Sequence, residues 1–217
     1  MKRNIDMKEV SDGRFYGLRD MVKAGCDGCR GCSDCCRGMG DSILLDPYDI
    51  FRLTTGLNRS FDQLLNDKIE LNIQDGMILP NLKMNAETES CGFLTAEGRC
   101  GIHPLRPGIC RIFPLGRFYE NGSFQYFLQI HECKKEPKTK VKLQKWIDTP
   151  EIRRNEQFII DWHYFIKDMS EHLSKADDNY RKTVNLYILK NFFQKPYDGN
   201  RDFYQQFYER FREAQKI

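Results

Sequence analysis

The feature that most constrains this chain is the run C-D-G-C-R-G-C-S-D-C-C, which places Cys26, Cys29, Cys32, Cys35 and Cys36 within eleven residues. The residues between these thiols are small or polar, so the run is not a core segment. Gly25, Gly28 and Gly31 supply the backbone freedom for tight turns that let several sulfurs converge. Two-residue gaps between cysteines are the spacing at which one loop wraps a soft metal or an iron–sulfur cluster. The competing reading is a disulfide knot. Two observations weigh against it. The chain has nine cysteines in 217 residues, an odd number, and their density lies below the roughly 8–10% of small disulfide scaffolds. The N-terminal stretch M-K-R-N-I-D also has no apolar run of the kind a secretory leader needs. A cytoplasmic protein with reduced thiols that serve a metal or catalysis is the expectation.

No window approaches the roughly 18 apolar residues of a membrane span, so no membrane partner is expected. The formal net charge of +3 is too small to imply DNA or RNA. A protein partner is left open. Fifteen Phe and ten Tyr, within 40% apolar residues, give the chain material for a real core.

The other four cysteines are spread over more ordinary sequence. Residues 15–22 read as a short helix leading into the cysteine run. Ile43-Leu44-Leu45 reads as a short strand, and Asp46-Pro47 as the start of a helix that stops at Gly56. Ser60 caps a second short helix over 61–66. Residues 69–80 alternate apolar and polar around Asp75-Gly76, a hairpin signal. Cys91 and Cys100 sit at the two ends of a stretch that reads as strand, turn and strand, which would bring their thiols close. Three prolines between residues 104 and 114 exclude a long helix there, leaving a rigid segment that presents Cys110. A second hairpin about Asn121-Gly122 spans 115–131 and delivers His131 and Cys133.

Residues 134–145 are dense in lysine with Glu136 as their one acid, and read as a solvated linker rather than a binding patch. From Trp146 the chain turns helical and contains no cysteine. Thr149-Pro150-Glu151 is a capped start, after which Ile152, Ile159, Trp162, Ile166, Met169 and Leu173 fall on one helical face. A second helix spans about 178–194 with Val184, Ile188, Leu189 and Phe192 inward. Asn200 caps a third, where Phe203, Phe207 and Phe211 recur every four residues beside Tyr204 and Tyr208. Such a stripe is more often packing than a partner face. The predicted architecture is α+β: an irregular cysteine-rich domain with hairpins (1–133), the basic linker (134–145) and a helical region (146–217).

Neighbouring side chains diverge, so Cys35 and Cys36 rarely ligate one ion together. Tetrahedral zinc and a cubane cluster each need four ligands. Eight thiols therefore make two such sites with one left over, and a single site with buried or redox thiols also fits. Cys26, Cys29, Cys32 and Cys36 have the C-x2-C-x2-C-x3-C spacing of bacterial ferredoxins, although Arg37 stands where that run has Pro and no second run follows. Zinc sites more often come as two separated C-x2-C pairs, and Cys91, Cys100, Cys110 and Cys133 contain none. An iron–sulfur cluster of the 4Fe–4S type is favoured over zinc, the alternative. The candidate ligands are Cys29, Cys32, Cys35, Cys36, Cys91, Cys100, Cys110 and Cys133, with Cys26 as the replacement if one of the vicinal pair is a spectator. Arg30, Arg37, Arg106 and Arg111 are candidates to balance the thiolate charge and keep the thiols deprotonated. With thiols in surplus, His103 and His131 are the poorer ligand candidates, and His163 and His172 are assigned surface or packing roles.

These blocks resemble the CxxCxxCC zinc- or iron-chelating family of YkgJ-like proteins. Cys29-x2-Cys32-x2-Cys35-Cys36 matches the motif that names it. Asp46 to Leu53 looks like the helix that follows. Cys91-Gly92-Phe93-Leu94, Cys100-Gly101-Ile102-His103, the segment from Arg106 to Pro114 and Cys133 resemble its later blocks. The resemblance covers about residues 26–133, with Cys26 itself outside the pattern and His103 at a position that is usually aromatic. It implies metal or cluster binding. One branch is that of flagellin lysine N-methylases, which implies as an alternative an S-adenosylmethionine-dependent protein lysine methyltransferase. Gly38-Met39-Gly40 follows no recognisable strand, however, so no Rossmann-type nucleotide loop is visible. The C-x3-C-x2-C triplet of radical enzymes is absent as well. A third reading is a zinc-stapled interaction module that binds a partner through Phe203, Phe207 and Phe211.

Overall fold

The computed structural model describes residues 6–26, 29 and 32–217. The turn glycines Gly28 and Gly31 and the arginine Arg30 lie outside the described residues. In chain order the first elements are α1 (Met7–Val10), β1 (Ser11–Tyr16), β2 (Met21–Gly25), α2 (Pro47–Leu57) and α3 (Phe61–Leu65). There follow β3 (Ile69–Gln74), β4 (Met77–Leu82), α4 (Gly108–Ile112), β5 (Leu115–Glu120), β6 (Ser123–Gln129) and β7 (Thr139–Lys142). The chain closes with α5 (Leu143–Ile147), α6 (Ile152–Leu173), α7 (Asp178–Ile188) and α8 (Phe203–Ala214). Helices and small antiparallel sheets are mixed, an α+β fold. The chain divides into two compact units, each built from two separate stretches: Met1–Met39 with Met84–Ile160, and Gly40–Lys83 with Asp161–Ile217.

The first unit carries all nine cysteines. Its sheet has the order β1-β6-β5, and the β5–β6 hairpin turns at Asn121 and Gly122, both at positive φ, as a two-residue hairpin loop requires. A separate two-stranded ribbon pairs β2 with β7, so Thr139–Lys142 within the basic run is paired strand. The helix expected over 15–22 is absent. Phe15 and Tyr16 end β1, residues 17–20 are a turn and Met21 and Val22 open β2, where Val22 and Ala24 face inward in alternation with exposed Met21 and Lys23, a period of two. Tyr16, Leu18, Val22, Ala24, Ile112, Leu115, Tyr126, Leu128, Leu143, Ile147 and Ile152 make one buried cluster. Arg111, 5% exposed, clamps its edge by donating to the carbonyls of Asp148 and Pro104, both at 2.8 Å.

In the second unit, both predicted helix starts carry full capping boxes. Asp46 and Asp49 exchange bonds at the start of α2, and Ser60 and Gln63 do so at the start of α3. α2 runs through Gly56 and ends where Asn58 takes the left-handed conformation, φ +51°. The β3–β4 hairpin turns at Asp75 and Gly76, again both at positive φ. Ile43–Leu45 adds to the free edge of β4 through bonds from Leu45 N to Pro80 O (2.9 Å) and from Leu82 N to Ile43 O (3.0 Å). Asn185 on α7 is 5% exposed, accepts from Ile78 N at 2.6 Å and donates to Gly76 O at 3.1 Å. It thereby fixes the hairpin to the helix.

After α7 the backbone widens into a π-helical turn, Leu189–Gln194, which places both Phe192 and Phe193 inside. They meet Trp162 with ring centroids 5.0 Å and 5.8 Å away. Phe203, Phe207 and Phe211 of α8 are 5%, 0% and 9% exposed. They are therefore core, and the reading in which they present a partner face is corrected. α8 is capped by Asp202, whose carboxylate accepts from Gln205 N at 2.7 Å, rather than by Asn200.

Removing the Asn185 amide orphans an inward N–H and an inward carbonyl. Asn185→Ala is expected to lower unfolding free energy by about 2–3 kcal/mol. Leu186→Ala, at its 51% exposed neighbour, is expected to change it by less than about 0.5 kcal/mol. Urea midpoints check both, and equal shifts would refute the clamp.

Candidate metal centre

The thiol loop leaves β2 at Cys26, which is 3% exposed. Cys29 N donates to Cys26 O at 3.1 Å and Cys32 N to Cys29 O at 3.2 Å. Cys29 sits at φ +58°, a conformation rare for a residue with a Cβ. This backbone brings the Sγ atoms of Cys26 and Cys29 to 3.4 Å, in hydrogen-bond contact. A 3-10 turn, Asp34–Cys36, then carries the vicinal pair.

The later cysteines are tied to this loop through the backbone. Cys91 N donates to Cys36 O at 2.8 Å, Arg37 bridges Ser90, and Gly38 N donates to Glu89 O at 2.8 Å. Residues 36–38 and 89–91 thus run antiparallel. The stretch from Cys91 to Cys100 is not the regular hairpin expected. Cys91 bridges Met84 and Cys100 bridges Leu94, so the closure falls between Leu94 and Cys100 and leaves Cys91 beside Cys36 instead. Cys110 is half-buried on α4, and Cys133 is half-buried after β6. Arg99, which the sequence reading passed over, donates to Cys29 O at 2.7 Å across seventy residues. Nothing in its local sequence announces that role.

The electrostatics follow from burial. Desolvation first, then the hydrogen bond with Cys26, pushes the Cys29 thiol up to about 12. The hydrogen bond with Cys36 and then burial push Cys35 far above the ordinary thiol range. Burial raises Cys100 and Cys133 as well, and the charges of Cys26 and Cys32 add to the shift at Cys133. Arg106 opposes the shift at Cys29, Cys35 and Cys100. At these thiols without metal, desolvation and neighbouring sulfur outweigh Arg106. Arg37 is exposed and donates to Ser33 Oγ at 3.4 Å, while Arg111 serves the backbone as described. His103 and His131 are exposed, and burial followed by Arg106 lowers the basicity of His103.

Arg106 is the residue that tests whether a metal–thiolate group fits. Its buried Nε has no hydrogen-bond partner, and among the described residues no carboxylate pairs with it. An uncompensated guanidinium close to three thiols suits a centre whose ligand charge exceeds the metal's. The donor set is thiol-rich and soft, as zinc and iron–sulfur sites require. Among the described residues no three His, Cys, Asp or Glu side chains gather as a metal-holding set as they stand, and the thiol–thiol contacts include Cys26–Cys29 and Cys35–Cys36.

Fold and thiols together define a cysteine-rich α+β protein. The family profile described as CxxCxxCC, "Putative zinc- or iron-chelating domain", matches residues 28–147, and the chain belongs to that family. The match begins after Cys26. No curated protein and no solved structure matches the chain. No helix among the described residues is long and apolar enough to cross a membrane.

Metal-stripped, reduced protein is expected to alkylate at Cys29 at least about tenfold more slowly at pH 8 than a cysteine in an unstructured peptide, because so little thiolate is present. Timed iodoacetamide labelling with peptide mass spectrometry measures this. A rate equal to the peptide's would contradict the burial argument.

Proposed function

We propose that the chain is a non-catalytic or electron-transfer metal protein whose cysteines hold iron as a 4Fe–4S cluster, with zinc as the alternative ion. The observation that carries this reading is Arg106, a half-buried cation with a buried Nε and, among the described residues, no carboxylate partner, whose charge acts on Cys29, Cys35 and Cys100. The ligands are drawn from Cys26, Cys29, Cys32, Cys35, Cys36, Cys91, Cys100, Cys110 and Cys133. Sulfur contact supports Cys26 and Cys29 as sharing one site, with Cys133 within electrostatic reach of Cys26 and Cys32, while Cys29 also feels Cys35. The bond from Cys91 to Cys36 and the influence of Cys35 on Cys100 support a second grouping of those four. A bound cluster would supply one-electron chemistry, and zinc a structural staple. The residues of this chain contribute the thiol donors, the compensating charge of Arg106 and the bond from Arg99 to the Cys29 carbonyl.

Two outcomes test the proposal. Arg106→Gln leaves every thiol in place and is expected to weaken metal affinity about 10- to 100-fold, the range for residues that support a ligand shell. Cys29→Ser is expected to lose bound metal outright. Metal per chain by elemental analysis, beside a chelator competition, reads both, and unchanged affinity in Arg106→Gln would remove the carrying observation. Because burial and neighbouring sulfur push the Cys29 and Cys35 thiols up, loading zinc at pH 7 is expected to release about one proton per coordinating thiol. Calorimetry in buffers of different ionisation enthalpy counts them. Release of none would mean that thiols are not the ligands.

A further inference from the structure

The β2–β7 ribbon has one face in the core and one in water. Val22 and Ala24 are fully buried and Val141 packs beside them. Strand alternation puts Met21 and Lys23 of β2, and Lys140 and Lys142 of β7, on the outward face, and all four are exposed. Met21 lies directly opposite Lys142. Lys145 is exposed a turn further on, in α5. Among the described residues none of Lys23, Lys140, Lys142 and Lys145 has a carboxylate in ion-pair contact. Glu136 is held by Lys138 at 2.9 Å and feels Lys23 more weakly, and Asp20, next to Met21, has its carboxylate accepting from Gly17 N at 2.7 Å.

Lysine on a short edge strand commonly serves to block strand addition. That role does not require cations to share one face, where like charges on facing strands repel. An unbalanced cluster of this kind is relieved by an anion bound over it. The ribbon also leads into the thiol loop: Gly25 opposite Thr139 is the pair next to Cys26.

We propose that this face docks an acidic protein surface beside the cysteine loop. Met21, 52% exposed among the lysines, supplies an apolar contact within a charged rim, the arrangement protein interfaces use. The described outward residues include no aromatic ring on which a nucleic-acid base could stack, and base stacking is a main source of single-strand binding. An acidic protein is therefore favoured over a nucleic acid. The docking claim does not depend on which metal the thiols hold.

The test uses the full chain as purified and two fluorescent probes of matched charge, poly-L-glutamate and oligo-dT, each of about 30 charges. Anisotropy is read at low salt, about 20 mM, and again near 200 mM. The triple variant Lys23→Glu/Lys140→Glu/Lys142→Glu is compared with Lys175→Glu/Lys182→Glu/Lys190→Glu, which makes the same change in net charge at exposed sites of the other unit. A Lys→Gln triple at the ribbon guards against misfolding of the charge-reversal protein. Poly-L-glutamate is expected to bind at low salt and to lose at least about tenfold in affinity on ribbon reversal, with a smaller loss in the Gln triple and less than about threefold in the control. Equal losses in ribbon and control would overturn the proposal, as would no binding of poly-L-glutamate. Tighter binding of oligo-dT, lost on ribbon reversal, would overturn it in favour of a nucleic-acid face.

Discussion

The hydrogen bond from Cys91 N to Cys36 O is the constraint on which the cysteine unit depends. It belongs to a short antiparallel pairing of residues 36–38 with 89–91. The two partners are separated by the stretch 40–83, which groups with residues 161–217. That pairing, beside the bond from Arg99 to Cys29 O, ties the five clustered thiols to the dispersed ones. With it, Cys91 is set beside the vicinal pair, and Cys100 comes within the electrostatic reach of Cys35.

Burial then sets the chemistry. A thiol taken out of water resists ionisation, and a second thiol against it resists further. Cys29 and Cys35 show both effects, while Arg106 pulls the other way without prevailing. A soft cation among these sulfurs reverses that balance, since a coordinating thiol is deprotonated outright. The same side chains are thus poor nucleophiles when protonated and strong ligands when a metal is present. Arg106, with a buried nitrogen left without a partner, is suited to the anionic loaded state.

Local chemistry was the legible part of the sequence. Asp46-Pro47 and Ser60 announced capped helices, Asp75-Gly76 and Asn121-Gly122 announced hairpins, and the four-residue recurrence of Phe203, Phe207 and Phe211 announced a helix that proved to be packed in the core. The family motif pointed to a metal before any geometry was known. What stayed hidden depends on partners distant in the chain. Residues 21–25 show a strand period only once β7 is known to pair with them, and β7 lies in a lysine run that reads as solvated connector. Arg99 reaches Cys29 from a turn with no distinguishing composition. Asn58 ends α2 because its short side chain tolerates the left-handed conformation, so the helix passes through the glycine that seemed to stop it.

X-ray absorption at the iron and zinc edges, on protein purified without oxygen, tests the central claim most directly. The account expects a first shell of about four sulfurs near 2.3 Å, joined for a cluster by a short iron–iron distance. A shell of oxygen and nitrogen would contradict it, whichever metal is bound.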